Sequence, residues 1–411
     1  MNVFQKLKSA PSTVPSVPPK PLNLWQRLKR RTPLGWLQLK HKKGQFVLAI
    51  AGVAFADILM LMQLGFQGAL FQSSVRIHET LDADIVLTSP QIRNLLYPSE
   101  FSRRRLYQAL DVPGVASVNP LYIVLATWKH PTTQKQGMML LLGGDPSRTF
   151  ITRSDINQNL DQLKIPDTLL FDQKTRGDYQ AALNDFVQNK PVVTEIKGRK
   201  QEIRGLFSIG SSFGVDGSLV TSTDTFLRLY PQRGAGNVSL GLIKVAPGSD
   251  PHQVAQALRQ KLANDVNVYT LQEFVEFEKN YWATNTPIGF IFRLGVAMGF
   301  IVGVILVYQV LSTDVNSHIH EYATFRAMGY QQRYLLGIVL EEAFILAVLG
   351  FVPGLAISGL LYHLTRQATS LPIYLTVARA LGILIATIFM CLISGAIATR
   401  KLQSADPADI F

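Results

Sequence analysis

Residues 294–311, LGVAMGFIVGVILVYQVL, carry no Asp, Glu, Lys or Arg, and residues 312–334, STDVNSHIHEYATFRAMGYQQRY, follow as a polar stretch whose short helical pattern ends at Gly329. The first segment is long enough to cross a bilayer, which takes about 20 apolar residues in helix. Three further runs share its character: 46–71 holds one formal charge, Asp57, while 343–362 and 380–399 hold none. Backbone polar groups find no partner in lipid, so a helix is the conformation that satisfies such an isolated run. The pattern predicts an α-helical membrane protein with four transmembrane helices, at 46–71, 286–311, 335–362 and 380–399. The interval 72–285 is then a large domain outside the membrane, and 312–334 and 363–379 are connecting loops.

Composition agrees, with 47% hydrophobic residues among 411. The formal charge of +12 invites a nucleic-acid role, but the charge is in the wrong place for one. Between 72 and 285 there are 23 Lys and Arg against 21 Asp and Glu; the remainder holds 17 against 7. Ten of those 17 precede Phe46, whereas the far flank of the first run carries Arg76 beside Glu79, Asp82 and Asp84. This asymmetry predicts an N-terminus in the cytoplasm, and four crossings return the 400–411 tail to the same side. Residues 1–23, rich in Pro, Ser and Lys, predict a disordered cytoplasmic tail. In 24–45, Trp25, Leu28, Trp36 and Leu37 alternate with basic residues, which fits either an interfacial helix on an anionic membrane lipid surface or a plain basic anchor. The first apolar run begins too late and is too long for a cleavable signal. A single cysteine, Cys391, leaves the outer domain to its own core and excludes a cysteine metal framework.

The 72–285 region reads as mixed α and β. Strands are expected at 83–87, 115–128 and 137–142 with a helix at 101–110, then a strand, helix, strand unit at 238–245, 250–262 and 266–270. Between them 164–231 is Gly-punctuated with shorter strands. The expectation is one discontinuous domain, 72–163 and 232–285, interrupted by an inserted β-rich one, 164–231. From Leu271, LQEFVEFEKNYW is amphipathic, with Phe274, Phe277 and Tyr281 on one face, and predicts a helical stalk continuous with the second membrane helix.

Candidate chemistry is sparse. Asp57 is a costly intramembrane acid; a hydrogen-bonded helix contact is the favoured reading over a proton or substrate site. Glu341 and Glu342 stand at the cytoplasmic lip of the third span, followed by Gly350, Pro353 and Gly354 as an expected kink. Asp82 and Asp84 fit a solvated strand end. Gly210, Gly214 and Gly217 lack the spacing and the Lys of a phosphate loop. His318 and His320, two apart on a helix, are poor metal ligands. Gly295, Gly299 and Gly303 recur every four residues and allow close helix approach, either as a dimer face or as a seam within the chain.

Glu321, Ala323, Arg326 and Gly329 in HEYATFRAMGY resemble the cytoplasmic motif REIAxLRAxGA of MacB-like and FtsX-like (type VII) ABC transporter permeases. Glu342 and Ala343 match the Glu-Ala pair opening their third helix, and Asp406, Pro407 and Asp409 their terminal DP-x-[DE]. His320 and Tyr330 depart from the motif, and Gln331 and Gln332 lengthen it. Together with FADILMLMQLGFQ, LDADIVLTSP, EFVEFEKNYW and VYQVLSTDVN, these departures make the sequence similar to the DevC-type cyanobacterial permeases.

The resemblance implies a periplasmic domain with porter-like and sabre-like parts, inserted between helices 1 and 2, in the bacterial inner membrane. It also implies a permease homodimer working with a DevA-like ATPase dimer, a DevB-like periplasmic adaptor and a TolC-like outer-membrane channel, with envelope glycolipid as cargo. ATP and Mg belong to the partner, since this chain has no phosphate loop and no cofactor or catalytic residue is expected in it. The coupling contact is expected from Ile319, Glu321, Tyr322, Ala323, Phe325, Arg326, Met328, Gly329 and Tyr330, with Ile319, Tyr322, Phe325 or Arg326, and Gly329 at three- and four-residue steps facing a groove of the ATPase. An FtsX-like mechanical regulator of a periplasmic cell-wall hydrolase is the alternative; an intramembrane enzyme using Asp57, Glu341 and Glu342 requires those acids to converge.

Overall fold

The computed structural model describes residues 43–403. The expectations for 1–23, for most of 24–45 and for Asp406, Pro407 and Asp409 lie outside the described residues. The first uncharged run forms the middle of α1 (Lys43–Thr80). At 1.5 Å per residue this helix is about 57 Å long, nearly twice a ~30 Å hydrocarbon core, so its last turns stand clear of the membrane.

A mixed α/β domain follows: β1 (Ile85–Thr88), β2 (Phe101–Ser102), α2 (Arg104–Leu110), β3 (Val115–Lys129), β4 (Gln136–Gly144), α3 (Ser154–Asn157), β5 (Thr168–Asp172), α4 (Gln180–Val187), β6 (Val192–Ile196), β7 (Arg199–Phe207), β8 (Gly217–Ser222), α5 (Thr223–Leu229), β9 (Asn237–Val238), β10 (Leu240–Val245), α6 (Pro251–Lys261) and β11 (Asn267–Thr270). Nine strands make one sheet in the order β11-β1-β10-β3-β4-β8-β5-β7-β6, while β2 pairs with β9. Strand alternation sends Ile85 and Leu87 into one apolar cluster with Trp128, Phe171 and Phe226, and Val86 into another with Phe150, Phe207 and Phe274.

Residues 164–231 do not build a sheet of their own. Their strands β5 and β8 are buried along their whole length, so they need neighbours on both edges and layers on both faces. β8 finds them in β4, parallel, and β5, antiparallel. The 15-residue β3 runs through both parts, pairing with β10 in its first half and with β4 and β6 in its second.

The expected continuous stalk is broken. Thr270 and Glu273 form a capping box that starts α7 (Leu271–Asn280), which ends in a π turn, Tyr281–Asn285. Thr286 is then extended (φ −119°, ψ 148°) before α8 (Pro287–Ser317). The cause is local: proline excludes the helical conformation from the residue before it and is favoured in the first turn of the next helix. After α8 come α9 (Ile319–Ala327), α10 (Gln332–Thr369) and α11 (Val377–Gln403). Among the described residues four helices, α1, α8, α10 and α11, are long and apolar enough to cross a membrane. They exceed the runs 286–311, 335–362 and 380–399, because lipid sets the length of the apolar stretch and not that of the helix.

α1 and α11 each pack against both α8 and α10 and also touch each other, whereas α8 and α10 barely meet. Glycines make the contacts of α1 close. A Cβ on Gly295 would stand 2.5 Å from Gln63, one on Gly299 3.0 Å from Met60, and one on Gly303 2.8 Å from Ala56, with Met390 of α11 closer still. The glycine face is thus used inside the chain. On α10, Gly350 and Gly354 meet Val53, Ala54 and Asp57 in the same way, and the helix continues through Pro353. The loop after α10 buries Leu371 and Ile373 with Ala69 and Tyr362, next to Phe213 of the α/β domain.

Candidate functional site

α8 runs 31 residues, about 46 Å, from the α/β domain to the far end of the bundle, where α9 begins. Two hydrogen bonds and one left-handed residue end α9 sharply. The Gly329 N–H donates to the Arg326 carbonyl (2.9 Å), the Tyr330 N–H to the Phe325 carbonyl (3.0 Å), and Gly329 has φ +88°. This is the Schellman arrangement, and its usual apolar contact is present as Phe325 edge-on to Tyr330 at 5.6 Å. Tyr334 closes the group, 4.9 Å from the Tyr330 ring.

The face of α9 differs from the expected one. Tyr322 and Ala323 are buried, Tyr322 in a cluster with Val315, Leu335 and Val339, and Ile319 and Phe325 pack against the same residues. Tyr322 and Ala323 hold α9 to the bundle, while Ile319 and Phe325 stay half-buried. The exposed residues are Glu321, Arg326, Met328, Gly329 and Tyr330, with Met328 60% and Tyr330 47% accessible. Two large apolar side chains in water beside a rigid turn mark the surface that a partner can cover.

Above α9 lie buried acids. His318 Nδ1 is 3.0 Å from the Asp314 carbonyl and 3.5 Å from Asp314 Oδ2. Glu342 is fully buried, and neither carboxylate oxygen has a hydrogen-bond partner among the described residues; Glu341 is half-buried. An unsatisfied buried polar group costs about 1–3 kcal/mol, so Glu342→Leu should stabilise the full chain by that order against denaturation in detergent. A lowered midpoint would show that the carboxylate holds a partner. Asp57 is elsewhere: Thr387 Oγ1 of α11 donates to its Oδ1, at the level of Gly354. Gly354 follows Glu342 by 12 residues, about 18 Å of helix, so the acids do not converge.

Other candidates resolve into structure. Lys244 Nζ lies 3.0 Å from Asp82 and 3.4 Å from Asp84 at a strand end. The glycine-rich loop leads into β8. It is anchored by Asp172, which accepts the N–H groups of Lys174, Ile209 and Gly210, and whose carboxyl is pushed up to about 6 by burial.

One constellation was not singled out from sequence. Glu278 on α7 is 1% exposed; its Oε2 accepts the Leu95 N–H (3.0 Å) and lies 3.3 Å from His78 Nε2 on α1, while its Oε1 accepts the Trp282 indole N–H (2.8 Å). The available signal was an acid four residues after Phe274, on the apolar face of LQEFVEFEKNYW.

A comparison with curated proteins finds no match. Among solved structures the chain is similar to the periplasmic region of MacB from Actinobacillus actinomycetemcomitans, at 11% identity over 50% of this chain and 96% of that one, TM-score 0.31. It is also similar to the extracellular domain of the noncanonic ABC-type transporter YknZ from Gram-positive bacteria, at 14% identity over 45% and 99%, TM-score 0.30. Residues 293–407, which take in most of α8, all of α9 and α10 and the described part of α11, match the family of FtsX-like permease C-terminal domains, and it is to that family that the membrane part of this chain is similar.

Proposed function

We propose that this chain is the permease subunit of an ATP-driven exporter, moved by a separate ATPase that docks on α9 and its capped end. The observation that carries the reading is the exposed, rigid Met328-Gly329-Tyr330 turn, set about 46 Å from the α/β domain inside a segment that matches FtsX-like permeases. ATP and Mg are held by the partner, since the sequence has no phosphate loop with its Lys. The basic N-terminal flank supports cytoplasmic termini and an inner-membrane location, with the α/β domain on the periplasmic side. Closure of an ATPase dimer under a permease homodimer shifts α9, and α8 and α10 carry the motion across the bilayer. The DevC-like stretches support an envelope lipid or glycolipid as cargo, driven through a periplasmic adaptor and a TolC-like channel; no water-filled path through the bundle is needed.

The test uses the single native cysteine. Cys391 is buried, so Met328→Cys gives the full chain one accessible thiol. A short bifunctional reagent should link it to the ATPase subunit in the assembled complex, and a control cysteine at Val187, 75% exposed on α4, should not be linked. An assembled, ATP-hydrolysing complex that gives no link at 328 refutes the docking surface.

A further inference from the structure

The structure assigns Glu278 as the positioning residue through which motion of the first two membrane helices enters the α/β domain. This rests on the reading of the chain as a permease moved from its other end.

Glu278 ties together three parts that separate chain segments supply. His78, fully buried with its ring 4.6 Å from Phe274, belongs to the exit of α1. Leu95 belongs to the loop after β1, and Trp282 to the π turn that precedes the break at Thr286. One carboxylate therefore lies 3.3 Å from a His78 ring nitrogen on α1 and accepts bonds from the domain and from the π turn, which Thr286 Oγ1 and Arg293 tie to α8 through the Trp282 (2.9 Å) and Ala283 (3.4 Å) carbonyls. Apolar contacts slide at little cost. A buried carboxylate does not, because each lost bond leaves a desolvated group unpaired at about 1–3 kcal/mol, more when it is charged. The three parts accordingly move as one body.

Two surrounding features agree. The cavity next to this contact, lined by Arg76, Ser218, Glu278 and Trp282 among others, measures about 20 Å³. That is room for a single water, so the joint has no slack. The Arg76 guanidinium, two residues nearer the membrane on α1, donates to the carbonyls of Ile209 (3.2 Å) and Ser211 (3.4 Å) and fastens the same helix to the glycine-rich loop. By contrast the backbone just beyond Glu278 is the weak place, with a π turn and an extended residue instead of a helix ladder. Without the carboxylate, the π turn and α8 would move together and leave the domain behind.

The experiment places spin labels on the full chain in lipid nanodiscs, at Tyr97 near Leu95 and at Phe290 in the first turn of α8, both well exposed. The parent should give one narrow distance, which shifts when the ATPase subunit of its complex is trapped with ATP and vanadate. Glu278→Gln keeps the volume and a single acceptor. It should broaden the resting distance into more than one population and lose the trapped shift while ATP is still hydrolysed; Trp282→Phe should do the same to a smaller degree and serves if the first variant does not fold. In the Glu278→Gln background Trp282→Phe should add nothing, because both remove one joint. Distances in Glu278→Gln equal to the parent's, at rest and trapped, overturn the assignment. A parent that shows no trapped shift counts against the permease reading, and the resting distribution alone then decides the role of Glu278.

Discussion

Gly329→Val is expected to uncouple the complex: ATP-driven export falls at least about 30-fold while the protein still inserts and the α/β domain stays folded. The residue has φ +88° and no heavy atom within 4 Å of an added Cβ, so crowding contributes nothing and the whole effect is backbone strain. The left-handed conformation costs an L-residue about 1–2 kcal/mol, and more for a β-branched one, so a loss near 2 kcal/mol and a ~30-fold fall in the capped form follow. The two bonds from Gly329 and Tyr330 back into α9 are lost with it, as is the Phe325–Tyr330 contact that holds the exposed turn in shape. Gly329→Asn, which tolerates that conformation, should keep most of the activity. The measurement is export and ATP turnover by the reconstituted complex for the three proteins side by side; parent-like export by the Val variant would remove the capped turn from the mechanism. Arg326→Glu, exposed on the same side, tests the docking contact with the helix end left intact.

Gly303→Leu has the opposite cause and the largest expected cost in the bundle. Its Cβ would overlap the Met390 sulfur and come 2.8 Å from Ala56, and both residues are fully buried. Met390 is flexible, but Ala56 lies on α1 and yields only if the helix moves. Overpacking of this kind costs about 1–3 kcal/mol for a few methylenes and more where backbone must shift, so the variant should express poorly and melt well below the parent. Gly359→Ala is the internal control: nothing lies within 4 Å of its Cβ, and better helix propensity should leave stability unchanged or raised by up to ~1 kcal/mol. Equal melting of both variants in detergent-solubilised full chain would mean that the seam is not closed in solution.

The long apolar runs are readable because lipid leaves no other solution, and the strands at 115–128 and 137–142 because short apolar runs there are bounded by turn residues. The glycine spacing established close approach but not the partner, since a neighbouring copy and a neighbouring helix impose the same four-residue period; the contacts with Met60 and Ala56 decide it. On α9 the period is legible and the direction is not. Nine residues with apolar groups around most of the circumference do not say which side is covered, and Tyr322 turned inward because Val315 and Val339 lay waiting for it. NTPIG signals the break at Thr286, but the amphipathic pattern before it and the apolar run after it join without a gap and mask it. Glu278 was invisible for another reason: its partners are at 78, 95 and 282, and no local pattern brings the first two to it.

β1 is hydrogen-bonded between β10 and β11, whose residues come more than 150 positions later, with Ile85 opposite Ile243 on one side and Thr270 on the other. During synthesis the strand has no neighbour until residue 245 has been made, and it lacks its second until residue 270. Loop closure over such separations is slow, and an unpaired apolar strand is exposed to aggregation meanwhile. The last strand to arrive is followed at once by the capping box of α7, so completion of the sheet and docking of α7 on α1 are one event. A ribosome that stalls before that point leaves a chain with a finished first helix and an open sheet, which makes this interval the vulnerable window for quality-control proteolysis.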